Sequence, residues 1–203
     1  MRLDPNTPPV SAGGKRLFVT IGATAPFNSL IRAVLAHGFL QALTDHHFTE
    51  LRIQHGDGGA HILQEADLSN IKERYGLTVT GFDFKKEGLN GELAALQSND
   101  VEKEGAVVSH AGSGSVLDAL RMNVPLVVVP NEDLLHNHQV ELAEVLEKQK
   151  YVVHGKLGDL AAAIARVEQL RRAARQWPPV TSGEEKYQKG LKGVLDEEMG
   201  WVD

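Results

Sequence analysis

A chain of 203 residues is long enough to bury a proper core in one domain, or in two small ones, without covalent staples. It has no cysteine, which excludes disulfides and thiolate metal sites and agrees with a reducing compartment. With 27 Asp and Glu against 21 Lys and Arg, the net charge is -6 and no dense Lys/Arg stripe appears, so phosphate-backbone binding lacks electrostatic support and nucleic acid is not an expected partner.

Residues 1–15, MRLDPNTPPVSAGGK, are rich in Pro and Gly, lack periodicity and read as a flexible leader. They contain no apolar signal core, and runs such as PLVVVP fall far short of the roughly 20 residues a membrane helix needs, so a soluble chain is expected. Short β-branched or apolar runs then recur: RLFVTI at 16–21, ELRIQH at 50–55, LTVTGF at 77–82, AVVSH at 106–110, PLVVVP at 125–130 and YVVH at 151–154. Segments of helical period lie around them, at 28–43, 60–74, 90–98, 115–122, 136–149 and 159–174. This alternation predicts an α/β fold, a Rossmann-like open parallel sheet with helices on both faces, spanning 16–175. Ligands bind such sheets beyond the carboxyl ends of the strands. SNDVEKEG, 98–105, reads as a charged loop and QWPPVTSGEEK, 176–186, as a linker; 176–203 then form a linker and an amphipathic C-terminal helix, a candidate partner-docking segment.

The junction VVSHAGSGSVLDAL, 107–120, passes from a strand into a helix through Ala111–Ser115. Gly112 and Gly114 lack the Cβ atoms that would keep a ligand from the backbone, and Ser113 or Ser115 is placed to cap the helix. Unpaired N–H groups and the positive end of the helix dipole favour a phosphate there, a nucleotide diphosphate being the natural occupant; a ligand-free tight turn is the competing reading. Neither the Walker lysine nor GxGxxG is present. Asp118 has two readings, a dipole partner paired with Arg121 at i+3 or an acceptor for ribose hydroxyls. After the strand PLVVVP, the segment NEDLLHNHQ gathers His136, Asn137, His138 and Gln139 near a helix start. Histidines at i and i+2 lie on different helix faces with no third ligand suitably spaced, so no metal site is expected, and Gln139 is the better candidate for sugar hydroxyls.

Together FVTIGAT, GFDF, SHAGSGSVLDAL and VPNEDLLHNHQVELAE resemble the family of catalytic subunits of the eukaryotic UDP-N-acetylglucosamine transferase that adds the second GlcNAc in dolichol-linked oligosaccharide synthesis. The wider pattern, H-x-G-x-x-S-x-x-[DE] followed by Pro and a polar pair ending in Gln, is similar to the donor-binding half of UDP-sugar glycosyltransferases, the C-terminal domain of the family 28 type. The resemblance covers roughly 16–155, with several motifs in the right order at the right separations.

The resemblance implies one nucleotide-binding lobe of a two-lobed, B-type glycosyltransferase. The other lobe would come from a membrane-anchored glycosyltransferase subunit, giving a heterodimer on the cytosolic face of the endoplasmic reticulum. Its substrates would be UDP-GlcNAc and a polyprenyl-diphosphate-linked GlcNAc acceptor, with no cofactor and no obligatory metal. Carried over by residue, His110, Gly112, Ser113, Gly114 and Ser115 match the diphosphate-contacting turn, with His110 also a charge stabiliser if protonated. Asp118 matches the ribose position, and Asn137, His138 and Gln139 the sugar contacts. Phe82, Asp83 and Phe84 fall where relatives hold uracil through the backbone, and Gly22, Ala23 and Thr24 where they approach donor phosphate or acceptor. His138 stands where relatives often carry a carboxylate, and Asp118 where many carry Glu. The usual catalytic base belongs to the absent lobe, so none is assigned. The alternative is a non-catalytic nucleotide-sugar-binding or regulatory subunit of a transferase complex.

Overall fold

The structure, a computed structural model, describes residues 14–23, 25–100, 103–132 and 138–176. Six parallel strands form one sheet: β1 Lys15–Thr20, β2 Phe48–Gln54, β3 Thr78–Phe82, β4 Ala106–His110, β5 Leu126–Val129 and β6 Val153–His154. Their order is β3-β2-β1-β4-β5-β6, so the sheet grows outward in opposite directions from the β1/β4 boundary. That boundary is a topological switch point, where loops leaving adjacent strands turn to opposite faces and open a crevice.

The helices are α1 Asn28–Val34, α2 His37–Asp45, α3 Gly56–Glu65, α4 Leu68–Tyr75, α5 Asn90–Ala94, α6 Ser113–Arg121, α7 His138–Lys148 and α8 Leu160–Gln176. The chain divides into compact units at 1–171 and 172–203. Every interaction described here belongs to the first, and the amphipathic segment predicted at 184–199 lies outside the described residues.

Registered residues share a sheet face. Ile53, Val19, Val108, Val127 and Val153 form one row directed into the main core, with Leu30, Ile31 and Val34 of α1, Leu40 and Leu43 of α2, and Ala163, Ile164 and Val167 of α8. Burial on both faces explains why β4 and β5 read as nearly continuous apolar runs.

Three expectations change. The segment predicted as one helix over 28–43 is α1 and α2, because Ala36 is extended (φ -70°, ψ 145°). The apolar stripe itself slips phase there: Leu30, Ile31 and Val34 are followed by Phe39, Leu40 and Leu43, a five-residue step that a single helix cannot keep on one face. The segment predicted over 60–74 is α3 and α4, split where the Asp67 carboxylate accepts from Asn70 N at 2.9 Å and caps α4. Third, the predicted leader loses its last residue, since Lys15 opens β1 and is buried. Its ammonium lies 2.8 Å from Glu168 Oε2, which offsets the desolvation; Glu168 also pairs with Arg171.

Candidate functional site

Two loops meet at the β1/β4 switch point. After β1 the chain turns at Gly22, whose φ of 75° is in the region that favours glycine, and Gly22 N donates to Thr20 Oγ1 at 3.2 Å. The Thr20 hydroxyl in turn donates to Gln54 Oε1 at the end of β2, so the turn is anchored across two strands. After β4 comes Gly112, extended (φ -81°, ψ 125°), the residue from which α6 starts. The His110 ring is wedged between the two glycines. A Cβ on Gly22 would sit 2.4 Å from its Cε1 and Nε2, and one on Gly112 would sit 2.2 Å from Nε2. Both glycines are therefore required by the histidine, a packing reason in addition to any ligand.

His110 Nδ1 is sealed from solvent without a well-formed hydrogen bond. Burial pushes the pKa of the ring below the ordinary 6.5, against a weaker pull from the Thr20 backbone toward the charged form. The ring is thus neutral at pH 7, which revises the charge-stabiliser reading for the free chain. The Ser113 and Ser115 side chains do not cap α6; Gly112 occupies the cap position and no side-chain hydrogen bond is made there. The first-turn N–H groups at 113–115 precede the first intrahelical bond, Val116 N to Gly112 O at 3.1 Å, and carry the positive end of the helix dipole.

Asp118 is one turn along α6, its side chain 43% exposed, with Oδ1 3.7 Å from Arg121 Nη1, so the pairing with Arg121 is formed. Gln139, in the first turn of α7, accepts from Asn131 N at 2.9 Å through Oε1, and Asn131 Nδ2 reaches the Pro26 carbonyl at 3.4 Å. The loop after β5 is thereby tied both to α7 and to the loop after β1. His138 is 71% exposed with Nδ1 3.6 Å from Glu141. Thr24, His136 and Asn137 lie outside the described residues.

Beyond β1, β2 and β3 opens a cleft of about 560 Å³ that brings Gly22 and Ala23 together with Asp83 and Phe84, four residues predicted from two separate motifs. Ile21, Ala25, Pro26, His55, Gly56 and Gly58 complete it. The volume is within the range of small-molecule sites. Phe84 is 54% exposed. Phe82 is different: its ring stacks on Phe18 with centroids 6.1 Å apart and lies under the Arg52 guanidinium and the Lys85 ammonium, at 4.6 and 5.0 Å. Its carbonyl accepts from His55 N at 2.9 Å, which ties the end of β3 to the end of β2.

Sequence reasoning missed Thr20, Gln54 and His55. The signal for the first two was a polar residue closing an apolar parallel strand. For His55 it was HGDGG, 55–59, a strand-end histidine followed by a glycine-rich helix start, the same grammar as HAGSG at 110–114.

A 3-2-1-4-5-6 parallel sheet with a glycine-rich turn at a helix start beside the switch point defines a Rossmann-like lobe. The chain belongs to the glycosyltransferase family 28 C-terminal domain family, which it matches over residues 16–176. It is 36% identical over 137 residues to the UDP-N-acetylglucosamine transferase subunit ALG13 of Yarrowia lipolytica, covering 68% of this chain and 63% of that protein. It is 33% identical to the same-named protein of Eremothecium gossypii, covering 91% of this chain and 93% of that one. Among solved structures, the NMR solution structure of ALG13 superposes with a TM-score of 0.56 at 28% identity, over 89% of this chain and 96% of that one. The glycotransferase of kitacinnamycin shares the fold, with a TM-score of 0.52 at 21% identity, over 82% of this chain and 40% of that one. Among the described residues no helix is long and apolar enough to cross a membrane.

Proposed function

We propose that this chain is the donor-binding, catalytic subunit of a UDP-GlcNAc-dependent glycosyltransferase that adds the second, β1,4-linked GlcNAc to GlcNAc-diphosphodolichol. It acts in lipid-linked oligosaccharide synthesis for protein N-glycosylation. A membrane-anchored subunit supplies the other lobe and the acceptor side of the cleft, holding the heterodimer at the cytosolic face of the endoplasmic reticulum. The names of the relatives support the donor and the word subunit. The observation that carries the reading is the wedge of His110 between Gly22 and Gly112, which locks the loops after β1 and β4 into one surface at the switch point.

The diphosphate lies on the N–H groups that open α6, within reach of His110, Ser113 and Ser115. Asp118, released from Arg121, accepts from the ribose hydroxyls, and Asn137, His138 and Gln139 contact the sugar. The nucleoside extends over the cleft toward Asp83 and Phe84. In the reaction the 4-hydroxyl oxygen of the acceptor forms a bond to the anomeric carbon as the bond from that carbon to the β-phosphate oxygen breaks. UDP departs with the electron pair, and the hydroxyl proton passes to a base on the partner lobe. Negative charge grows on the leaving diphosphate, where fixed N–H donors act most strongly; single donors of this kind contribute about 2.7–4 kcal/mol. Donor binding requires no divalent ion in this reading: UDP affinity survives EDTA, and an affinity abolished by EDTA and restored by magnesium overturns that point.

The test is transfer of labelled GlcNAc from UDP-GlcNAc to a GlcNAc-diphosphate-lipid by membranes carrying the partner subunit. Transfer that requires this chain and disappears with Asp118→Ala while the complex still assembles supports the reading. Unchanged transfer by assembled Asp118→Ala would favour a non-catalytic subunit.

A further inference from the structure

Thr20 and Gln54 are buried, at 1% and 2% exposure, and neither is among the residues that the sequence motifs assign to a ligand. They end β1 and β2 in register with each other, and Ser109 of β4 is the register partner of Thr20 on its other side. The row continues to Phe82 of β3 and Val128 of β5, so three polar residues stand together in an otherwise apolar line across the sheet. Burying such groups costs about 1–3 kcal/mol each unless they are bonded, so an apolar pair would fill the place of Thr20 and Gln54 at less risk. The two are bonded in one relay. Gly22 N donates to Thr20 Oγ1 at 3.2 Å, and the Thr20 hydroxyl donates to Gln54 Oε1, an atom that only accepts. The hydroxyl is thus committed in both directions, which leaves the Thr20 side chain one setting.

The relay ends on the residue that faces the His110 ring. A glycine has many conformations open to it, and the bond from its N–H to Thr20 selects one at Gly22, with φ at 75° and the backbone too close to His110 for any Cβ. On the other side of the switch point the Ser109 hydroxyl, fully buried, donates to the His110 carbonyl at 2.7 Å. Both strands at the boundary therefore end in a buried hydroxyl bonded into the turn that follows, and the two turns meet at one ring. Gln54 brings in a third strand. Since β2 is paired with β1 along its length and with β3 beyond, the Gln54 carboxamide gives the Thr20 hydroxyl a fixed point of attachment in the sheet. The Gly22 N–H is occupied inside the protein, so the turn after β1 contributes shape to the crevice and leaves hydrogen-bond donation to the turn that opens α6.

We propose that Thr20 and Gln54 are positioning residues of the donor site, a buried hydroxyl–carboxamide pair that fixes the Gly22 turn against the His110 ring and so sets the surface on which the diphosphate rests. This deepens the proposed function and rests on its placement of the diphosphate. The test combines two measurements on the full chain and its Thr20→Val, Thr20→Ser and Gln54→Met variants: amide hydrogen exchange at Gly22 by NMR, and the kinetics of GlcNAc transfer in complex with the membrane partner. In the wild type the Gly22 amide should exchange slowly although it lies in a loop, a result that needs no variant to fold. Thr20→Val keeps the shape of the side chain without its hydroxyl; it should speed exchange at Gly22 about tenfold and raise the KM for UDP-GlcNAc about tenfold, with the KM for the lipid acceptor unchanged. Thr20→Ser, which retains the hydroxyl, should restore both, and Thr20→Val combined with Gln54→Met should be no worse than Thr20→Val alone, because the two act as one unit. A merely structural role would lower the denaturation midpoint and leave the KM for UDP-GlcNAc where it was. Fast exchange at Gly22 in the wild type overturns the proposal, as does a Thr20→Val variant with an unchanged KM for UDP-GlcNAc, a Thr20→Ser variant as impaired as Thr20→Val, or additive losses in the double variant. A wild-type complex that transfers no GlcNAc overturns the donor-site reading and this role with it, an outcome told apart from normal transfer that ignores Thr20 and Gln54.

Discussion

The two halves of the sheet solve burial differently on the face opposite the main core. Beyond the switch point, β4 and β5 present Val107, Ser109, Leu126 and Val128, all buried, beneath Val116 and Ala119 of α6 and Leu142 and Leu146 of α7. On the other side, β2 presents Arg52 and Gln54, each nearly as buried, and the five-residue α5 supplies Glu92. Glu92 Oε1 lies 2.7 Å from Lys85 Nζ and 3.4 Å from Arg52 Nη2, with the Phe82 ring beneath both cations. One half is held by apolar area and the other by a buried cluster of charges around an aromatic ring. The half held by charges carries the cleft, because Lys85 and Phe82 bracket Asp83 and Phe84 and so fix the strand end from which those two residues project.

The sharpest way to break this contrast is Glu92→Gln. It removes the carboxylate charge that Lys85 and Arg52 share, and chemical denaturation should show a loss of about 3–5 kcal/mol, the cost of breaking a buried ion pair from one side. A loss no larger than that of an exposed pair would mean that the charged half is not held by Glu92. Gly22→Ala acts at the boundary between the halves. A Cβ there meets the His110 ring at 2.4 Å with φ at 75°, so a loss of about 1–3 kcal/mol is expected together with loss of UDP binding.

His110 contributes a pH-dependent term. Its folded-state pKa is depressed, so below the ordinary 6.5 the unfolded chain takes up a proton that the folded one resists. Stability is complete above that value and falls as pH drops toward the folded-state pKa. In His110→Gln that portion of the pH slope should vanish in denaturation curves collected between neutral and mildly acid pH. The smallest effect on stability belongs to Asp118→Ala, whose exposed ion pair with Arg121 is worth under about 1 kcal/mol. Its expected consequence is on donor affinity, and the disparity between the two measurements separates a binding residue from a structural one.

All six strands, and the presence of a helix in each segment of helical period predicted between 28 and 174, were legible in residue type. Val, Ile and Leu runs closed by polar residues gave β1 to β6 within two residues at either end. Helix subdivision was legible in principle, through the phase slip between Val34 and Phe39 and the capping Asp67. Half of the candidate site was legible too: the turn Gly112–Ser115 stands out because glycine at a strand-to-helix junction is costly unless something must approach closely. What approaches Gly112 in the free chain is His110, a neighbour two residues away, with Gly22 on the opposite side of the ring, and no local pattern announces that three-way packing.

By itself the sequence determined the alternation of strand and helix, the parallel sheet and the polar residues gathered at strand ends, because these follow from local periodicity and backbone preference. The tertiary structure alone decided that Gly22 and Gly112 clasp one histidine, that His55 shares a cleft with Asp83 and Phe84, and that Arg52 and Lys85 are buried around Glu92. Those are contacts between strand ends distant in the chain, and their energies depend on burial and distance, which exist only once the sheet order has been set.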